Sequence, residues 1–327
     1  MRKVKANMAM KLAAVFFAIT FLVAAFMLLR YWEQKQGNFS GAGTNENVLS
    51  YEGKDYVLRD DVEAFLVLGL DKYEGDQKTE SYNNDKQADF LMVFVFDNDA
   101  KTCSAIHVNR DTMAKVGVLG VGGEKIDTVT KQIALAHTYG NGQKVSCRNT
   151  KDSVEDLLLG IHINHYVSFT MDSVAAVNDF VGGVQVTLTE SLTEIDSTFV
   201  EGKTVTLMGE QALRFVRTRY GLEDSSNATR MKRQQQYINS LHKKIMSCIE
   251  TDSEFAIRLA EAMDEYVVYD SSDQRMQKYA EKLETYTFLG IQEIAGESKV
   301  GTEFMEFYPD EASLYATVLE LFYKAKE

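Results

Sequence analysis

A chain of 327 residues, 45% hydrophobic and 25% charged, with 21 Gly and a single Pro, is globular in composition and is not a disordered, collagen-like or Pro-rich protein. The 35 Lys+Arg against 48 Asp+Glu leave a net charge of −13. That balance excludes a nonspecific nucleic-acid binder, whose affinity rests on cations against phosphates, but it leaves room for a local basic site.

The chain opens with Arg2, Lys3, Lys5 and Lys11, followed by Leu12–Leu29, where Thr20 is the only polar side chain. Such a run spans roughly 27 Å as a helix, close to the hydrocarbon thickness of a bilayer. It exceeds the apolar core of a signal peptide, and Arg30, Tyr31 and Trp32 follow it rather than small residues. Residues 1–30 are therefore expected to be a cytoplasmic N-terminus and an uncleaved transmembrane helix in the cell membrane. The positive-inside bias keeps the basic end cytoplasmic and places the rest of the chain outside. Residues 31–60 are polar and read as an extracytoplasmic stalk.

Beyond the stalk, Phe65–Leu70, Phe90–Phe96 and Ser104–Asn109 are short apolar runs that read as strands. Asp97-Asn-Asp-Ala-Lys101 between the last two is turn chemistry, so they form a hairpin. Closing that turn between Asn98 and Lys101 pairs residues whose numbers add to 199 and sets Asp89 opposite Arg110. Helical patterns are expected at 127–139 and 151–159, a strand at His165–Thr170, a helix at Met171–Phe180, and a strand at Val184–Leu188 after the turn Val181-Gly-Gly183. A short helix follows at Gly209–Val216 and a long one at Arg230–Ile249, whose apolar stripe runs through Met231, Ile238, Leu241, Ile245 and Ile249. Helices near 253–265, 273–287 and 310–325 complete the tail. Alternating strands and helices predict an α/β fold with a mixed central sheet flanked by helices. The segment 61–250 is expected to be the working domain, with 251–327 a helical extension packed on it.

Cys103, Cys147 and Cys248 are odd in number and lack CxxC spacing, which argues against a disulfide scaffold or a zinc site. The five histidines show no HExxH or triad-like grouping.

Two constellations carry chemistry. Arg214, Arg217, Arg219, Arg230, Lys232 and Arg233 face only Glu223 and Asp224 between positions 214 and 233, a local balance of 6 − 2 = +4. Arg offers a planar fork matched to phosphate oxygens. Arg230, Arg233 and Gln234 share one face at a helix start, whose dipole adds positive potential. The plainer reading is a solvated basic helix start. The second constellation is Asp71, Asp89 and Arg110, which meet at one sheet edge if the first and third strands run parallel. Two carboxylates there suit a hard cation such as Mg²⁺ that also ligates phosphate oxygens. The plainer reading is an Asp89–Arg110 ion pair with an unrelated Asp71.

Eight segments in order then resemble one family. They are Gly69-Leu-Asp71, Ala88-Asp89, Asn109-Arg-Asp-Thr112, Ala136-His-Thr-Tyr-Gly140, Val181-Gly-Gly183, Gly209-Glu-Gln-Ala-Leu213, Arg217-Thr-Arg219 and Arg230-Met-Lys-Arg-Gln-Gln235. Across about 60–245 the chain is similar to the LytR-CpsA-Psr proteins of Gram-positive cell envelopes. The resemblance implies a membrane-anchored phosphotransferase that moves a glycopolymer from a polyprenyl-diphosphate carrier to peptidoglycan through a phosphodiester. It implies Mg²⁺ on Asp71 and Asp89, and a diphosphate held by Arg110, Arg217, Arg219, Arg230, Arg233 and Gln234. Arg110, Arg217 and Arg219 would also act in the transfer, and Asp111 and Asp224 are candidate side chains for a base. The polymer is left open among teichoic acid, capsule and secondary wall polysaccharide. Two positions depart from the family pattern: Gln87 stands where Arg is usual, and Ile133-Ala-Leu stands where the helix before Tyr-Gly usually carries Asn. The first departure favours an alternative, a non-catalytic protein that binds lipid-linked polymer or serves as an envelope sensor or scaffold.

Overall fold

The computed structural model describes residues 44–45, 48–72, 83–218, 227–252, 254–272, 275–276, 278–279, 282, 285–301 and 304–326. The expected transmembrane helix and Asp224 lie outside them. Among the described residues no helix is long and apolar enough to cross a membrane. The described chain forms two compact units. A sheet unit takes the described parts of Leu28–Ser168, Val268–Ser271 and Thr285–Glu327, and a helical unit takes those of Phe169–Val267 and Ser272–Glu284.

In the sheet unit, β1 (Thr44–Asn45), β2 (Val48–Tyr51) and β3 (Lys54–Leu58) form a small antiparallel sheet completed by β16 (Tyr323–Ala325). The central sheet follows: β4 (Val62–Lys72), β5 (Lys86–Asp97) and β6 (Thr102–Val108), each antiparallel to the one before. Its full order is β12-β9-β4-β5-β6-β13, with β9 at His165–Thr170, β12 at Val267–Tyr269 and β13 at Thr287–Glu293. Because β13 runs parallel to β6, the sheet is mixed, as the sequence predicts. Two helices cover one face, α1 (Lys144–Leu157) and α6 (Glu311–Phe322). Leu66, Leu68 and Leu70 of β4, Leu91, Val93 and Val95 of β5, and Ile106 of β6 pack there with Val154, Leu314 and Val318. Phe65, Val67, Phe94 and Phe96 on the other face are buried too. Burial of both faces is why these strands read as continuous apolar runs rather than alternating ones.

The predicted hairpin register holds. From Leu91↔Val108 to Asp97↔Thr102 every pair adds to 199, and β4 and β6 run parallel. The helix expected at 127–139 is corrected. β7 (Met113–Leu119) and β8 (Lys125–Gln132) form a second hairpin there, followed by a 3-10 helix over Ile133–Thr138. Ile126, Thr128, Val129 and Thr130 are β-branched, which favours a strand. The helix expected at 151–159 is the second half of α1, which begins at Lys144.

In the helical unit, α2 (Asp172–Phe180), the hairpin β10 (Val184–Thr187)–β11 (Thr204–Leu207), α3 (Gly209–Arg217), α4 (Asn227–Thr251) and α5 (Phe255–Met263) share one core. Tyr237, Leu241 and Ile245 form the buried stripe of α4, packed with Val184, Phe215 and Val216. The tail is not only helical. Helices stand at 255–263 and 311–322, as expected, but β12, β13, the hairpin β14 (Gly296–Val300)–β15 (Met305–Pro309) and β16 are strands. The helix expected over 273–287 lies partly outside the described residues, and Thr287 already begins β13.

Candidate functional site

One residue of register decides where the two acids go. Along most of the β4–β5 ladder, pairs such as Gly69↔Phe90 add to 159. Past a bulge the pairs become Leu70↔Ala88 and Asp71↔Gln87, leaving Asp89 as the extra residue. Without the bulge, Asp89 would face Leu70 and stand on the opposite side of the sheet from Asp71. The inserted residue reverses the alternation and places both carboxylates on one face. Burial agrees: Ala88 and Leu91 belong to the helix-covered core, whereas Gln87, Asp89 and Phe90 are only half-buried.

Arg110 joins them just past β6. Asn109 opens a turn there: its Oδ1 accepts from the Asp111 amide at 3.0 Å, and its carbonyl accepts from the Thr112 hydroxyl at 2.7 Å. The turn brings the Arg110 guanidinium onto two carboxylates. Nη1 donates to Asp89 Oδ1, and Nε donates to Asp111 Oδ1 at 3.2 Å. The side chains of all three are 12% exposed. Burial at this level makes the pairing directional rather than a screened surface contact. Asp89 and Arg110 meet at one sheet end as the sequence predicts, their ion pair is the one the plainer reading expects, and Asp71 shares their strand end. Gln87, the departure from the family pattern, is the direct ladder partner of Asp71.

The cations of 214–233 belong to the helical unit. Arg214 is exposed and lies 3.4 Å from Asp196, and Arg217 is exposed on the last turn of α3. Arg233 is only 3% exposed and donates through Nη2 to the Thr218 carbonyl, while Gln234 donates to the Val216 carbonyl at 3.2 Å. Together they satisfy carbonyls that the end of α3 leaves without helical partners. Arg219 lies outside the described residues, and of Arg230 only its place in the first turn of α4 is described.

Three polar residues around the sheet end have no role in the sequence reading. Gln132 is buried and donates from Nε2 to Asp111 Oδ1 at 2.9 Å and to the Met305 carbonyl at 2.6 Å. Asn84 donates to the carbonyls of His137, at 2.8 Å, and Thr138, at 3.1 Å, and accepts from the Lys86 amide at 2.9 Å. His137 is fully buried, with Nδ1 donating to the Lys86 carbonyl at 3.0 Å and Nε2 3.6 Å from Cys147 Sγ. Asn84 and His137 therefore tie down the first residues of β5, just before Asp89. Burial drives the His137 pKa down to about 4, against the opposing effect of its bond to Lys86. The same cause pushes the Cys147 thiol up to about 11, so the pair is a neutral imidazole beside a thiol. The segment Ala136-His-Thr-Tyr-Gly140 was the available signal for His137. Gln132 had none, because its partner Met305 is distant in sequence.

Among the described residues no group of three or more His, Cys, Asp or Glu could hold a metal ion. The acidic side chains at the sheet end are Asp71, Asp89 and Asp111, and Oδ1 of Asp111 is taken by Arg110 and Gln132.

The comparisons with known proteins converge on one family. Its profile, described as the LytR_cpsA_psr family, matches residues 33–317. The chain is 24% identical over 237 residues to the Bacillus licheniformis polyisoprenyl-teichoic acid–peptidoglycan teichoic acid transferase TagU, covering 70% of each. To the Enterococcus faecalis protein of the same name it is 30% identical over 184 residues, covering 56% of this chain and 54% of that one. Among solved structures, TagT bound to LI-WTA superposes with a TM-score of 0.56 at 20% identity, covering 80% of this chain and 90% of that one. That likeness bears on the fold, and it agrees with the mixed α/β sheet described above. With the profile matching well over half of the chain, the chain belongs to the LytR_cpsA_psr family.

Proposed function

We propose that this protein is a cell-wall glycopolymer transferase. It moves a polymer from a polyprenyl-diphosphate carrier onto a peptidoglycan hydroxyl through a phosphodiester, from the outer side of a membrane in which Leu12–Leu29 anchors it. The observation that carries the reading is the bulge at Asp89, which sets two carboxylates on one sheet face beside a half-buried Arg. The names of the TagU relatives support the transferase class, and the segment 214–233 is locally basic within an acidic chain.

The donor set fits Mg²⁺, which is held by one or two carboxylates and completes its shell with water and substrate phosphate oxygens. Asp71 and Asp89 would hold it, and the ion would supply charge neutralisation at the diphosphate. Arg110 binds and orients the phosphate oxygens beside them. In the reaction the acceptor oxygen bonds to the phosphorus bearing the polymer. The bond from that phosphorus to the bridging oxygen breaks, polyprenyl phosphate leaves with the electron pair, and the hydroxyl proton is released to solvent or a base. Stabilising charge as it moves to the leaving phosphate is the main work of the site.

The test uses the full chain in detergent with a polyprenyl-diphosphate-linked sugar, a peptidoglycan acceptor and Mg²⁺. Release of polyprenyl phosphate with transfer is expected, and Asp71→Asn or Arg110→Ala should each lower it at least a hundredfold, about 3 kcal/mol of barrier. Wild-type transfer undiminished in both variants rejects the site. Tight binding of the lipid without turnover points instead to a binding module, the outcome that Gln87 opposite Asp71 would favour.

A further inference from the structure

Asp111 is a candidate base in the sequence, but its surroundings suit a different task. Oδ1 accepts from Arg110 Nε at 3.2 Å and from Gln132 Nε2 at 2.9 Å. The Asp111 amide is taken by Asn109 Oδ1 at 3.0 Å, and its carbonyl accepts from the Phe307 amide at 2.8 Å. Gln132, 6% exposed, spends its other contact on the Met305 carbonyl at 2.6 Å. Met305 and Phe307 lie on β15, so the hairpin β14–β15 grips both Asp111 and Gln132. The hairpin is itself closed at its base: the Asp310 amide donates to the Ala295 carbonyl at 2.7 Å, and the Ala295 amide donates to Ser313 Oγ at 2.9 Å. Ser313 lies in the first turn of α6, whose cap Asp310 accepts from the Ser313 amide at 2.8 Å.

We propose that Asp111 and Gln132 are positioning residues for Arg110, and that the β14–β15 hairpin is the brace that holds them. A guanidinium is planar, so fixing Nε on Asp111 and Nη1 on Asp89 fixes the whole fork. Among the described residues Nη2 has no partner, and this is the donor left for a phosphate oxygen. The inference rests on Arg110 being a diphosphate ligand, but its geometric part does not. A base would need its carboxylate charge, whereas a positioning residue needs an acceptor oxygen at the Oδ1 position. Asn supplies the acceptor without the charge.

The experiment follows Arg110 directly in the full chain, labelled with ¹⁵N-arginine in detergent. The Arg110 Nε–H resonance is identified by its loss in Arg110→Lys. It is expected to be protected from solvent exchange in the wild type and in Asp111→Asn, and to lose at least tenfold protection in Asp111→Ala and Gln132→Leu. Protection unchanged in both of the latter overturns the proposal, whatever the protein catalyses. In the transfer assay, Asp111→Asn is expected to cost less than tenfold with the pH profile unmoved, and Asp111→Ala more than a hundredfold. The double variant Arg110→Ala/Asp111→Ala should be no slower than Arg110→Ala alone, because Asp111 acts through Arg110. A hundredfold kcat loss in Asp111→Asn with unchanged KM, or additive losses in the double variant, assigns Asp111 as the base and rejects the positioning role. Failure of the transfer reading would appear as a wild type without turnover while the exchange result stands.

Discussion

His137 carries the clearest pH signature of any single residue. Its folded-state pKa is about 4 because burial disfavours the cation, whereas an exposed histidine titrates near 6.5. As the pH falls through about 6.5, the unfolded chain takes up a proton that the folded chain refuses until about 4. Proton uptake by the unfolded state favours unfolding, so this contribution is intact above pH 6.5 and is lost progressively down to about pH 4. The difference in unfolding free energy between wild type and His137→Gln is expected to narrow by roughly 2.5 kcal/mol between pH 7.5 and 4.5. Urea titrations of both proteins at the two pH values check it, and a constant difference refutes the burial argument. At this scale the sequence revealed much of the chemistry but not the local duty of each side chain. Asp89 and Arg110 could be paired because a short turn fixes the register between them. Arg233 was readable as a cation near other cations. Its task at the end of α3 was hidden, because a buried guanidinium on a backbone carbonyl leaves the same sequence trace as one on a phosphate.

The turn after α2 shows how an element boundary constrains a residue. Gly182 and Gly183 both have positive φ, +77° and +89°, and their amides donate to the carbonyls of Asp179 and Asn178 at 3.0 and 2.8 Å. A Cβ on Gly182 would meet nothing within 4 Å, whereas on Gly183 it would lie 2.6 Å from Met208 Sδ, 2.8 Å from Thr206 Cγ2 and 3.1 Å from the Leu207 carbonyl. Gly182→Ala is therefore expected to cost only the backbone term, about 1 kcal/mol. Gly183→Ala adds a clash with the β10–β11 hairpin and should cost roughly 2–4 kcal/mol. Denaturant midpoints of the two variants check the order, and equal losses would mean that the contact does not matter. Most elements could be read because their apolar period is clean, as in β9 and α4. β8 could not: its burial pattern lacks a clean period, and a 3-10 helix follows it directly. The bulge at Asp89 was also hidden. Its mark is a switch of core-facing positions along β5 from Ala88 to Leu91, Val93 and Val95, and because the strand beyond it is buried on both faces, alternation does not reveal the change of parity.

For the whole molecule, the tail is structural. Leu314, Val318, Leu321 and Phe322 of α6 belong to the core of the sheet unit, β13 forms its edge beside β6, and β16 completes the small sheet with β3. A chain ending before Thr285 is expected to lose native packing in the sheet unit, seen as collapse of near-UV circular dichroism and rapid proteolysis of 48–168. A truncated protein with the wild-type spectrum would show that unit to be self-sufficient. Sequence reading treated this tail as an appendage because its motifs lie elsewhere and its strands are short. Pairing between Thr102–His107 and Thr287–Glu293 joins segments nearly two hundred positions apart, which no local pattern announces. That long-range pairing also sets a timetable. Everything in the helical unit precedes β13 in the chain, so it emerges during synthesis or export before the sheet can acquire its last parallel strand. Closing so distant a contact is slow, and an unpaired β6 edge is exposed until it happens. Assembly is thus expected to run from the helical unit to the completed central sheet. The interval before β13 arrives is when this protein is most vulnerable to aggregation and most in need of a holding chaperone.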